Sequence, residues 1–169
     1  MKHVAELLNE LMSSGILVNY AVFGAVAQMR YTDAVATMDA DILVAVQDPE
    51  RIDLLAPIYD FCRGKGLNPE GECVRVGAWP VQFVPAFNPL TEEALAQAEQ
   101  GDVDGVPLRV VSADYLAAIA LQTGRAKDLA RIVALNDARA LDMQHITDIL
   151  ARHGLSTKWQ NYREKYLDA

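Results

Sequence analysis

The sequence predicts an α/β fold: a small mixed sheet flanked by helices, followed by a helical C-terminal part. Three observations predict it. Short apolar runs alternate with helix-spaced segments up to about residue 112, and beyond that point helical spacing takes over. Turn residues, mostly Gly and Pro, separate these segments. Apolar residues make up 51% of the 169, enough to bury a sizeable core. The expected division is an α/β core over residues 1–111 and a helical extension over 112–169, packed together as one compact unit.

Taken in order, Val4, Leu7, Leu8 and Leu11 recur at helical spacing and Gly15 supplies a stop, so residues 2–14 are read as a helix. Residues 16–23 contain a strand, 25–30 a short helix, 31–36 a loop and 39–46 a second strand. Asp48 and Pro49 are read as the start of a further helix, with Ile52, Leu55, Tyr59 and Cys62 on its inner stripe. Pro57 is expected to kink or divide it. Residues 72–76 and 81–84 read as a hairpin around Gly77-Ala78. A short helix over 91–99, a turn over 101–105 and a strand over 107–111 follow. The turn lacks the Glu that completes an EF-hand. Ser112 is read as the cap of a helix to Gln122, with further helices over 125–138 and from Asp142 to Gly154. Trp159, Tyr162 and Tyr166 form a helical stripe, read as a docking face.

The chemistry concentrates at Asp39 and Asp41. On a strand, residues two apart point to one face. Two carboxylates on one side repel each other, and a hard divalent cation relieves that repulsion. Upstream, the apolar run Tyr20-Ala21-Val22-Phe23 closes on Gly24-Ala25 and enters a helix. Such a junction presents backbone N–H groups to phosphate. A phosphate cradle beside paired carboxylates suits metal-assisted phosphoryl or nucleotidyl transfer. Arg30 has two readings, a contact to a triphosphate or to Asp41, or a cation at a helix C-terminus. Thr37 is read as a residue suited to a strand start, with a hydroxyl bond to Asp39 as the alternative. Arg125 and Lys127 open a helix, against the preference of its dipole. They therefore want another partner, such as a phosphate or the Asp pair, with a solvated charged turn as the alternative.

These residues resemble the signature of the DNA polymerase beta-like nucleotidyltransferase superfamily. It combines an apolar strand, Gly-Gly or Gly-Ser, a helix, and Asp-x-Asp on the next strand. Thr123-Gly124-Arg125-Ala126-Lys127-Asp128 resembles the Gly-Arg-x-Lys-Asp helix of uncharacterised bacterial members, some from toxin–antitoxin or abortive-infection systems. The resemblance covers roughly residues 18 to 135. It implies Mg²⁺ (or Mn²⁺) at Asp39 and Asp41, a nucleoside triphosphate on the Gly24 and Ala25 amides, and Arg125 and Lys127 across the cleft. It also implies transfer to a protein, RNA or small-molecule acceptor. Two positions depart from the pattern. Ala25 replaces a Gly or Ser. Gln82, on the strand where active members carry a third Asp, offers a neutral oxygen to the metal. A catalytically weakened nucleotide-binding or protein-interaction module of the same fold is the alternative reading. A structural subunit of a toxin–antitoxin pair is a third.

Charge narrows the partners. The net charge of −8 and a pI near 4.8 argue against a duplex-DNA surface. No apolar run approaches the roughly 20 residues that span a bilayer. The start resembles no signal peptide, and Cys62 and Cys73 lack metal-ligand spacing, so a cytoplasmic location with reduced thiols is expected. His3, His145 and His153 are scattered and suggest no nucleophilic triad. The sequence leaves a homodimer open.

Overall fold

The computed structural model describes residues 1–50 and 52–168. Residue 51, within the segment read as the start of a helix, and residue 169 lie outside the description. The protein is α/β; among the described residues seven strands form one mixed sheet, and helices alone follow the last strand. The strands are β1 (Leu17–Phe23), β2 (Ala40–Val46), β3 (Pro69–Glu70), β4 (Cys73–Val76), β5 (Trp79–Pro85), β6 (Glu99–Val103) and β7 (Val106–Val110). The helices are α1 (Lys2–Ser13), α2 (Gly24–Gln28), α3 (Ala56–Gly64), α4 (Pro89–Ala96), α5 (Ala113–Thr123), α6 (Ala126–Asp137), α7 (Met143–Arg152) and α8 (Ser156–Tyr166).

The sheet order is β3-β4-β5-β2-β1-β7-β6. β2 lies in the middle, antiparallel to β1 and parallel to β5. Both faces of its neighbourhood are covered. Tyr20 donates its hydroxyl to Asn9 of α1, while the adjacent Asn19 donates to the Leu95 carbonyl of α4. Successive strand residues face opposite ways, so α1 and α4 lie on opposite faces. That is why Ile42, Leu43 and Val44 read as an unbroken apolar run and are all buried. α5 is the central helix, with Ala113 to Ala118, Ala120 and Leu121 buried. Its alanines let neighbouring elements approach closely on every side.

Several local expectations are corrected. The helix read from Asp48 begins at Ala56. Asp53 organises its entry by accepting from the Leu55 and Ala56 amides at 3.2 and 3.0 Å. Pro57 therefore sits in the first turn, where its missing N–H costs nothing, and there is no kink to explain. Ile52 is fully exposed, off any inner stripe. The helix expected over 91–99 ends at Ala96, and residues 99–103 form β6 instead of a turn. The true turn is Asp104-Gly105, both with positive φ, closed by Asp102 accepting from the Gly105 amide at 3.0 Å. Glu-Gln-Gly-Asp-Val has little strand preference of its own. It becomes a strand because β7 offers it a partner at the sheet edge. Ser112 occupies the N-cap of α5 without a side-chain capping bond.

The last helices are fastened to the rest by polar clasps. Glu93 of α4 accepts from Tyr115 of α5 at 2.7 Å, pairs with His153 at 2.6 Å and also accepts from Arg152. Asp114 accepts from the Asp142 amide at 3.0 Å and pairs with His145 at 2.8 Å. In α8, Trp159 and Tyr162 are buried and stacked, with the Tyr162 hydroxyl donating to the Leu129 carbonyl at 2.6 Å.

Burial opposes the charge on Glu93, yet hydrogen bonds from Tyr115, Arg152 and His153 outweigh it and hold its carboxyl at about 2 instead of 4.5. A carboxylate lowered on folding stabilises above its unfolded value and loses that contribution as pH falls toward its folded value. Glu93→Gln is therefore expected to be less stable than the parent near neutral pH. The gap should close as pH falls from about 4.5 to about 2. Urea midpoints of both proteins across that range test it, and a gap that stays constant would show that the charge is not what stabilises.

Gly24 carries a second expectation. Its φ is +68°, and an added Cβ would lie 2.3 Å from Asp41 Oδ2. Gly66 also has positive φ, at +78°, but open space around it. Gly66→Ala should cost only the conformational term, about 1–2 kcal/mol. Gly24→Ala should cost more, because the Asp41 carboxylate must also move. Equal losses in chemical denaturation would mean that the close approach is without consequence.

Candidate active site

Asp41 stands near the start of β2, opposite Phe23 of β1 on one side and Gln82 of β5 on the other. Asp39 is the last loop residue before that strand. Thr37 holds it, donating its hydroxyl to the Asp39 carbonyl at 2.9 Å and reaching its carboxylate at 3.4 Å. The hydroxyl bond is thus made, where the sequence favoured a simple strand-start role. The chain then arrives at Gly24 with φ in the left-handed region, and α2 departs directly beside the Asp41 carboxylate. No side chain caps the amides of the first turn, to which Gly24 and Ala25 belong.

A cavity of about 300 Å³ is lined by Gly24, Asp39, Asp41 and Gln82 on the sheet side. Arg125, Lys127, Asp128 and Arg131 of α6 and its N-terminus line the other side, with Ile119 and Thr123 of α5 between. Seven elements of the local sequence reading meet here: Gly24, Asp39, Asp41, Gln82, Arg125, Lys127 and Asp128. Ala25 follows Gly24 in α2 but does not line the cavity.

Arg30 is not brought into this cavity. It pairs with Glu99 at 3.3 Å, donates to the Gln100 carbonyl at 3.2 Å and lies over the Tyr31 ring. The chain beyond α2 turns toward β6, a strand the sequence did not reveal, and Glu99 on that strand takes the guanidinium. The cation that the structure offers in its stead is Arg131. It donates to Gln28 of α2 at 3.0 Å and pairs with Asp128 at 3.5 Å. Its position was legible in part, three residues beyond Asp128 on one helix face. Gln28 had no such signal, because its partner lies 103 residues away.

The charges balance across the cavity. Burial raises the Asp41 carboxyl above its usual range, and Asp39 raises it further; Arg131, Lys127 and Arg125 oppose both. Burial also lowers the Arg131 guanidinium, which Asp128 and Asp41 counter. Asp128 is itself buried in the first turn of α6, where the helix dipole favours an anion. It accepts from Arg125 Nε at 2.6 Å. This answers the unfavourable placement of Arg125 at a helix N-terminus, and the bond raises the guanidinium above its ordinary value.

The donor chemistry fits a hard divalent cation in one respect. Two carboxylates and an amide oxygen are oxygen donors, and Mg²⁺ is commonly held by one or two carboxylates with water and phosphate completing its shell. Among the described residues no three His, Cys, Asp or Glu side chains converge on one point, so no closed protein cage is present. The arrangement can hold a cation on one wall and an anion against the other. A wider cleft of about 790 Å³ is lined by Gln28, Arg30, the Tyr31–Val35 loop and the end of α6. Among the described residues no helix is long and apolar enough to cross a membrane.

No protein-family model matches the sequence, and no curated protein matches it. Solved structures do match in shape. An antigenic nucleotidyltransferase-like protein from Paracoccidioides brasiliensis superposes with a TM-score of 0.60 at 16% identity, over 93% of this chain and 90% of that one. The crystal structure of ANT(2'')-Ia in complex with adenylyl-2''-tobramycin gives 0.54 at 16% identity, over 96% of each chain. The solution structure of the antibiotic-resistance factor ANT(2'')-Ia gives 0.51 at 16% identity, over 96% of this chain and 97% of that one. The chain therefore has the fold that these nucleotidyltransferase-like structures share.

Proposed function

We propose that the protein transfers a nucleotidyl group from a nucleoside triphosphate to a hydroxyl of an acceptor, with Mg²⁺ or Mn²⁺ as cofactor. The observation that carries this reading is the pairing of walls. Asp39 and Asp41 face Arg125, Lys127 and Arg131 across one cavity. A cation with a polyphosphate is the ligand that satisfies both walls at once. The fold supports the reading, and so does the adenylylated tobramycin held by ANT(2'')-Ia, a protein of the same fold.

In this reading Asp39 and Asp41 hold the metal, which would neutralise the triphosphate and lower the barrier to attack at the α-phosphorus. The amides of Gly24 and Ala25 donate to phosphate oxygens. Arg125, Lys127 and Arg131 take up the charge that grows on the leaving pyrophosphate. The acceptor oxygen forms its bond to the α-phosphorus as the bond to the β-phosphate oxygen breaks, and the hydroxyl proton leaves to solvent. Catalysis here is positioning and electrostatics, with no covalent group on the protein. The toxin–antitoxin or abortive-infection branch rests on the Gly124-Arg125-x-Lys127-Asp128 motif alone.

A second reading rests on Gln82, which stands opposite Asp41 where the resemblance calls for a carboxylate. A neutral donor there weakens the metal, and the chain then binds nucleotide without transferring it.

Thermal shift with each of four nucleoside triphosphates, with Mg²⁺ or Mn²⁺, tests the shared part. A ligand at 100 times its Kd should stabilise by about 2.7 kcal/mol. Asp39→Ala with Asp41→Ala should keep the fold and lose the metal-dependent part of that shift. If the double variant binds nucleotide with Mg²⁺ as the parent does, the metal reading is wrong. Label from α-labelled nucleotide on protein or acceptor, with release of pyrophosphate, distinguishes the enzyme from the binder. Transfer from γ-labelled nucleotide alone would indicate a kinase and overturn both.

A further inference from the structure

The carboxylate missing from β5 has a counterpart one strand further out. Gln82 pairs with Asp41 on β2 and with Cys73 on β4. Glu72 immediately precedes Cys73, and its Oε2 accepts from Gln82 Nε2 at 3.3 Å. The backbone at Glu72 is itself held, because the Tyr59 hydroxyl donates to its carbonyl at 3.2 Å. Tyr59 is in turn braced edge-on against Phe83, the residue next to Gln82.

This contact decides which way the Gln82 amide faces. An ionised carboxylate only accepts hydrogen bonds, so the amide must turn its nitrogen toward Glu72. The carbonyl oxygen is then left for the cavity that Gln82 shares with Asp39 and Asp41. Without Glu72, the amide loses the hydrogen bond that distinguishes its two ends. Half of its orientations would then aim an N–H₂ group, a donor with positive hydrogens, at the place of a cation. Among the described residues Glu72 forms no three-carboxylate group with Asp39 and Asp41.

We propose that Glu72 is a positioning residue that commits Gln82 to act as an oxygen donor to a divalent cation held with Asp39 and Asp41. The inference rests on the metal-dependent reading above. It also recasts the Gln82 departure: the metal donor on β5 is kept as an oxygen, and the negative charge sits beside it on Glu72, before β4.

The test is Mn²⁺ titrated calorimetrically into four proteins: the parent, Glu72→Gln, Gln82→Asp and the double variant. Glu72 is solvent-exposed, so its substitution should leave the urea midpoint nearly unchanged. In the parent background, Glu72→Gln should weaken Mn²⁺ about tenfold, as loss of a group orienting a metal ligand does. In the Gln82→Asp background an oxygen faces the cation whichever way the side chain turns, so the same substitution should cost only the small, salt-sensitive charge effect. Equal losses in the two backgrounds, or none in either, would overturn the positioning role. Asp39→Ala with Asp41→Ala separates the two levels of the argument. If that variant binds Mn²⁺ as the parent does, the metal site itself is misplaced and the role of Glu72 falls with it. If only the Glu72 comparison fails, the metal reading stands alone.

Discussion

The molecule is organised around the approach of one carboxylate to one bare backbone. Asp41 sits against Gly24 at a distance that leaves no room for a Cβ, and the same glycine turns the chain through positive φ into α2. Everything on the sheet side of the cavity follows from this contact. It sets where α2 departs, and Gln28 at the end of α2 then reaches Arg131 on α6. A side chain at position 24 would push the carboxylate off the wall. A carboxylate in place of Ile42, Leu43 or Val44 would be buried in the core.

Asp41 is placed where burial and Asp39 both disfavour its charge. Such an arrangement persists because the opposite wall is cationic, and that wall depends on a buried acid. Asp128 gathers Arg125 and Arg131 while occupying a helix N-terminus that favours it. Removing an anion from that position would leave two guanidiniums near each other without their common partner. The cavity is thus a four-layer alternation, from Asp41 to the cations, to Asp128, to the α6 dipole.

α5 connects this cleft to the far side of the molecule. Its Thr123 end lines the cavity, and its Asp114-Tyr115 end enters the clasps with Glu93, His145 and the end of α7. A helix so fully enclosed cannot slide without breaking one end or the other. The polar clasps therefore help to hold the α5–α6 turn, and with it Arg125, in register with the sheet.

Much of this was legible in the order of residues. The strand–Gly–helix junction, the Asp-x-Asp step, the hairpin at Gly77-Ala78 and the helical C-terminal part all follow from local patterning, because a strand alternates and a helix repeats regardless of what surrounds it. The expectation that Asp39 and Asp41 share one side was local in the same sense, and both line the cavity with Gly24. What only the tertiary structure decided were the partners distant in sequence. β6 exists because β7 pairs with it, and it then captures Arg30 through Glu99, so a residue suited to the cleft by position is spent elsewhere. Arg131 meets Gln28 across 103 residues, and Glu72 meets Gln82 only because β4 and β5 align Cys73 with Gln82. Period and propensity describe single elements. Which side chain stands beside which carboxylate depends on strand order and register, and those are properties of the packed sheet.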